Sequence, residues 1–136
     1  MTGNEIKIGR DGKWYNNGHE MFRLSIVNLF ARNLHRDEGG EYYIKLGQDT
    51  APVVVEDCPF YVVGIDESQD KLTLVFHDRQ EMEVTEPIEL FLEGEVPYIS
   101  YRWHRDARLS RGVYWKLSDY FDFRDDRIYI VPPVKS

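Results

Sequence analysis

The chain has 136 residues, with 17 Lys and Arg against 24 Asp and Glu, for a net charge of −7. That balance excludes general, sequence-independent binding to duplex DNA or to an acidic membrane, which needs net cation on the contact face. Hydrophobic residues at 42% exclude disorder, the length excludes a TIM barrel, and the single cysteine, Cys58, excludes an internal disulfide or a zinc site of several thiolates.

Residues 1–8 carry Glu5 and Lys7 and no apolar run, so no secretory leader is expected. The longest strongly apolar run, 58–65, is too short to span a membrane. The expectation is a cytoplasmic protein.

Residues 5–22 read as short strands around two turn dipeptides, Asp11-Gly12 and Asn17-Gly18, whose residues tolerate positive φ. A helix is predicted over 26–35, because Leu24, Val27, Ala31 and Leu34 fall on one face, with Ser25 as N-cap. Gly39-Gly40 ends that region, and His35 and Arg36 fall near the helix C-terminus, where the dipole favours cations. Strands follow at 41–46, 52–56 and 60–66, then a polar turn at 66–70. Alternating Leu72, Leu74 and Phe76 mark a half-buried strand, and Met82, Val84, Ile88, Leu90 and Leu92 continue the alternation. Glu93-Gly94-Glu95 reads as a hairpin turn, and 98–104 as the last strand of the run. A second helix is predicted at 111–121 with Ser110 as N-cap, then a strand at 127–131 that Pro132-Pro133 stops.

The two halves share an order: Arg-Leu-Ser at 23–25 and 108–110, an amphipathic helix, an acidic turn, then a Tyr-Ile strand at 41–44 and 127–130. This points to duplication of a strand–helix–strand unit. The expected fold is α+β, two small related lobes with antiparallel sheets, residues 1–57 and 58–136.

The most specific local feature is residues 101–111. Arg102, Arg105, Arg108 and Arg111 stand there with one acid, Asp106, so the window is +3 and the remainder of the chain −10. Two readings compete. Arginine forks beside Trp103, Tyr114 and Trp115 suit an anionic ligand with a stacking ring. Alternatively, the arginines pair with six glutamates of residues 81–95, which carry no Lys or Arg. The four histidines, His19, His35, His77 and His104, have no metal-ligand spacing, so no metal site is expected; His104 shares the predicted strand face of Arg102. Cys58 reads as a small buried residue, and Glu56-Asp57 as part of a turn before Pro59.

Several stretches together are similar to the DUF1285 family of bacterial proteins: Arg10-Asp-Gly-Lys-Trp-Tyr-Asn-Asn-Gly18, Leu29-Phe-Ala-Arg-Asn-Leu-His-Arg-Asp37, Val55-Glu-Asp-Cys-Pro-Phe60 and Ala107-Arg-Leu-Ser-Arg111. The chain resembles a short, divergent member. The resemblance implies a domain duplication, a C-terminal lobe superficially like a pleckstrin-homology fold, a ligand site between the lobes suited to a nucleotide-like molecule, and a role in signalling. The resulting expectation is a non-catalytic ligand-binding or sensory module, with no cofactor. Arg102, Arg105, Arg108 and Arg111 would hold the anion, His104 would add a hydrogen bond, and Trp103 or Trp115 would stack. Trp14 and Arg23 are the expected contributions of the first lobe. The alternatives are a protein-interaction module and a small hydrolase or transferase using Glu56, Asp57 or His104.

Overall fold

A computed structural model of the chain describes residues 5–133. The chain divides into two compact units, residues 1–59 and 60–136.

The first unit is a six-stranded sheet with one helix. Its strands are β1 (Ile6–Ile8), β2 (Trp14–Asn16), β3 (His19–Glu20), β4 (Leu34–Arg36), β5 (Tyr42–Leu46) and β6 (Asp49–Val55), in the order β3-β2-β1-β6-β5-β4. All neighbours are antiparallel except β1 and β6, which run parallel, an arrangement the expected all-antiparallel sheets did not include. The Asn17-Gly18 turn has the local cause its sequence suggests. Both residues take positive φ, 52° and 84°, as a two-residue hairpin between Asn16 and His19 requires. Period-two alternation puts Ile6 and Ile8 in the core beside Trp14, Leu34, Ile44 and Val53.

Helix α1 spans Leu24–Arg32 rather than 26–35. Its N-cap is Arg23, extended and without a side-chain cap bond, in place of the expected Ser25. The helix stops because the Asn33 side chain donates back to the Leu29 carbonyl at 2.8 Å, closing the last turn. Leu34 is buried, but in β4, paired with Ile44. His35 and Arg36 therefore lie in a strand and not at a helix terminus; His35 stacks on Tyr43 with ring centroids 5.4 Å apart.

The second unit is an eight-stranded sheet. Its strands are β7 (Phe60–Asp66), β8 (Thr73–Phe76), β9 (Glu81–Glu83), β10 (Ile88–Glu93), β11 (Val96–Ile99), β12 (Ala107–Leu109), β13 (Phe121–Arg124) and β14 (Arg127–Ile130), in the order β13-β14-β10-β11-β12-β7-β8-β9. Helix α2 (Arg111–Leu117) runs into a 3-10 turn (Ser118–Tyr120) and packs on β7 through buried Val113 and Leu117. Ser110 caps it as expected, its hydroxyl accepting from the Val113 N–H at 3.2 Å. The expected strand over 98–104 ends at Ile99, and a strand the sequence did not announce, β12, pairs antiparallel with β11 and parallel with β7. The core holds Phe60, Val62, Leu72, Leu74, Phe76, Ile99, Leu109 and Ile130, all at most 2% exposed. Burying each large side chain contributes about 1.5–3 kcal/mol.

Both units contain a helix followed by a β-hairpin: α1 with β4 and β5, and α2 with β13 and β14. The Tyr-Ile segments form the second strand of each hairpin, and acidic residues form each turn. Among the described residues, no helix is long and apolar enough to cross a membrane.

Candidate functional site

Strands β11 and β12 are joined by residues 100–106, where the basic segment begins. The connection is folded around its own carboxylate. Asp106 is 2% exposed and accepts three converging backbone N–H groups, from Tyr101 at 2.7 Å, Arg102 at 2.9 Å and Trp103 at 2.8 Å. Burial pushes the Asp106 carboxyl above its ordinary range, and the three amides pull against that rise. The Arg105 N–H closes the loop on Ser100 Oγ at 2.9 Å, with Arg105 at φ 52°.

The side chains of this turn are held locally. The Arg102 guanidinium donates to Gln80 Oε1 at 2.7 Å and lies 5.1 Å from the centre of the Phe60 ring. Trp103 stacks on Phe60, centroids 6.0 Å apart and planes 21° from parallel. Arg105 donates to Glu93 at 3.0 Å and covers the Phe91 ring at 4.4 Å, while His104 meets Phe91 edge-on at 5.2 Å. For Arg105, the pairing reading is the one observed: its carboxylate lies in the glutamate-rich segment 81–95.

Arg108 and Arg111 are placed differently. Tyr98 faces Arg108 and Ile99 faces Ala107 across the β11–β12 ladder, so the turn lies past one end of it. Past the other end is a cavity of about 430 Å³, lined by Glu95 and Pro97 with Arg108, Arg111, Tyr114 and Trp115. The Arg108 guanidinium lies 4.8 Å from the Tyr61 ring centre. Arg111 is exposed and, among the described residues, forms no ion pair. Tyr114 is wedged between Trp115 and Phe121, at 5.3 and 5.4 Å, which fixes one wall, whereas the Trp115 side chain is 64% exposed. The α2 amides of Val113 and Tyr114 are already bonded to Ser110.

The structure thus separates the candidate residues. Arg108, Arg111 and Trp115 line one cavity, and Arg102, Trp103, His104 and Arg105 belong to the turn. Trp14 is 1% exposed in the core of the first unit, tilted against Phe30 at 6.2 Å, and has no open ring face for a ligand. Arg23 lines another cavity, within the first unit, with Met21, Phe22, Ile26 and Phe30. Among the alternative acid–base candidates, Glu56 accepts the Arg10 N–H at 3.1 Å and lies 3.9 Å from Lys7. Asp57 is half-buried and Cys58 is buried. None of the shifted groups is among the residues lining the Arg111 cavity. Tyr15 is raised to about 12 by its bond to Asp11, Tyr120 to about 12 by its bond to Glu67, and burial lowers His77. Among the described residues, no three His, Cys, Asp or Glu side chains gather as metal ligands would. The sequence reading missed Asp106 as an organiser and Glu95 as a cavity residue. Asp106 had one visible signal, a single acid among four arginines.

These features define a two-unit α+β protein whose second unit carries an arginine- and aromatic-lined cavity. Residues 1–58 match the family model described as the N-terminal domain of a domain of unknown function, DUF1285. A solved DUF1285 family protein from Silicibacter pomeroyi DSS-3 superposes with a TM-score of 0.73 at 25% identity, covering 89% of this chain and 71% of that one. A DUF1285 family protein from Shewanella baltica OS155 gives 0.70 at 20% identity, covering 88% and 94%. No curated protein matches the sequence. The N-terminal unit is therefore similar to the DUF1285 N-terminal domain, and the chain's fold is similar to that of solved DUF1285 family proteins.

Proposed function

We propose that the protein is a non-catalytic ligand-binding module that holds a small anionic, nucleotide-like molecule in the cavity beside α2. One observation carries this reading: two guanidinium groups and an open aromatic face converge on a single cavity of about 430 Å³. That volume falls in the range of small-molecule sites, about 300–1,000 Å³. A guanidinium fork matches phosphate geometry, and stacking a base on an aromatic ring contributes about 1–3 kcal/mol. Because the groups with shifted proton affinity lie elsewhere, binding fits the cavity better than acid–base chemistry does. The module's place is the cytoplasm, where a bound ligand is read out in signalling.

The test is a thermal-shift screen of nucleotides, second messengers and sugar phosphates, with Arg108→Ala and Arg111→Ala run beside the native protein. A ligand at a hundred times its Kd stabilises the native protein by about 2.7 kcal/mol. The response weakens with salt and disappears in both variants. If no anion stabilises the native protein, or if both variants respond as it does, the cavity is not the site.

Protein docking is the second reading. It is favoured by Phe22, just before α1, and by Leu24 and Leu29 within it, which are 79%, 59% and 46% exposed. Association that rises with protein concentration in light scattering, and is abolished by Phe22→Ser with Leu29→Ser, would favour it.

A further inference from the structure

Glu95 is the one feature of the cavity that an anion site does not require. It lies opposite in charge to Arg108 and Arg111 and shares their cavity, so it lowers the affinity for a bare anion. Its position is fixed by the backbone. Gly94 and Glu95 are the two central residues of the β10–β11 hairpin, between the paired Glu93 and Val96, and Gly94 takes the positive φ, 64°, that this turn demands of its first central residue. The next residues, Val96 and Pro97, line the same cavity. Glu95, at the tip of a tight hairpin, therefore lines the same cavity as two cationic side chains and a stacking ring.

From this arrangement we infer that the ligand is a guanine nucleotide. The inference rests on reading the cavity as a nucleotide site. A carboxylate is an acceptor only, with two oxygens. Guanine presents two donors side by side on its Watson–Crick edge, N1–H and the N2 amino group, and a carboxylate accepts both at once. Adenine presents an acceptor, N1, at the corresponding place and meets the carboxylate with repulsion. Arg111 and Arg108 take the phosphate, Trp115 takes the face of the base, and Glu95 reads its edge. Discrimination by one bidentate base contact amounts to about tenfold or more in affinity.

The experiment is calorimetric titration of the native protein, Glu95→Ala and Arg111→Ala with GMP, AMP and inorganic phosphate. Urea midpoints confirm that each variant is folded, and Glu95 is exposed enough for its removal to leave stability unchanged. The expected result is GMP bound about tenfold more tightly than AMP by the native protein. In Glu95→Ala that preference is lost while phosphate binds at least as tightly, and Arg111→Ala weakens all three ligands. Equal native affinity for GMP and AMP overturns the inference and leaves the anion site standing. So does a uniform gain for all three ligands in Glu95→Ala, which would make Glu95 a repulsive charge alone. If the native protein binds none of the three, both the inference and the site fail.

Discussion

The turn at 100–106 and the cavity beside α2 contain the same residue types in the same stretch of chain, yet the fold treats them differently. In the turn, backbone amides converge on Asp106, and the arginines beside them lie on rings or on Gln80 and Glu93. In the cavity, Arg111 has no ion-pair partner among the described residues, and the largest aromatic is open to solvent. A cluster of positive charge along a sequence is thus not yet a site. What separates the two regions is whether the protein supplies the compensating groups itself, and the buried carboxylate of Asp106 does so for the turn's backbone.

The strongest way to break this contrast is Asp106→Ala. It leaves three partly buried N–H groups without an acceptor, and the expected loss is about 3 kcal/mol, read as a lower urea midpoint. Arg111→Ala should stay within about 0.5 kcal/mol of the native protein, because it removes an exposed side chain without an ion pair. Equal losses for the two variants would mean that the internal carboxylate does not organise the turn.

A smaller effect concerns the support behind Arg108. Its guanidinium lies on Tyr61, whose N–H is donated to His77 Nδ1 at 3.3 Å, so the imidazole must be neutral to accept it. Burial lowers the His77 pKa below its ordinary 6.5, with Asp78 and the Tyr61 backbone opposing the shift. A lowered imidazole pKa means the unfolded chain takes up the proton first. The stabilisation is therefore fully present above about pH 6.5 and is lost as the pH falls through that value toward the lower folded one. Urea midpoints measured from pH 7.5 down to pH 5 should decline, and His77→Gln, which keeps an acceptor but does not titrate, should flatten the decline. An unchanged slope in that variant would assign it to other groups.

Much of the fold is legible in the sequence where one local cause suffices. The Asn17-Gly18 turn, the Ser110 cap and the alternation of Leu72, Leu74 and Phe76 are of this kind. The failures occur where a side chain bonds back to the chain. Leu34 continues the apolar spacing of α1, but the Asn33 amide ends the helix first, and burial of Leu34 is satisfied equally well in β4. Tyr101 and Trp103 alternate as strand residues do. They are bent out of the strand because the amides of 101–103 turn onto Asp106, while their rings stay on the core by packing on Phe60. The candidate site was legible in composition but not in partition, because periodicity carries no information about which arginine meets which acid.

Ligand response sharpens the contrast further. Arg102→Ala should leave stabilisation by an anion unchanged, because Arg102 is held on Gln80 and Phe60 in the turn, while Arg111→Ala should abolish it. Thermal shifts for the two variants side by side read this directly. An equal loss in both would mean that the anion reaches across the ladder and that the two regions form one site.

The smallest expected effect tests the pairing account within the turn. Arg105 and Glu93 are 3.0 Å apart, with side chains 42% and 57% exposed, so solvent screens their attraction. A double-mutant cycle with Arg105→Ala and Glu93→Ala should give a coupling below about 1 kcal/mol. Most of the cost of Arg105→Ala should instead persist when Glu93 is absent, because the guanidinium also covers Phe91 at 4.4 Å. A coupling of about 2 kcal/mol or more would show that the glutamates of 81–95 hold the basic segment in place. In that event ion pairing, rather than Asp106 and the aromatic contacts, would be what separates the turn from the cavity.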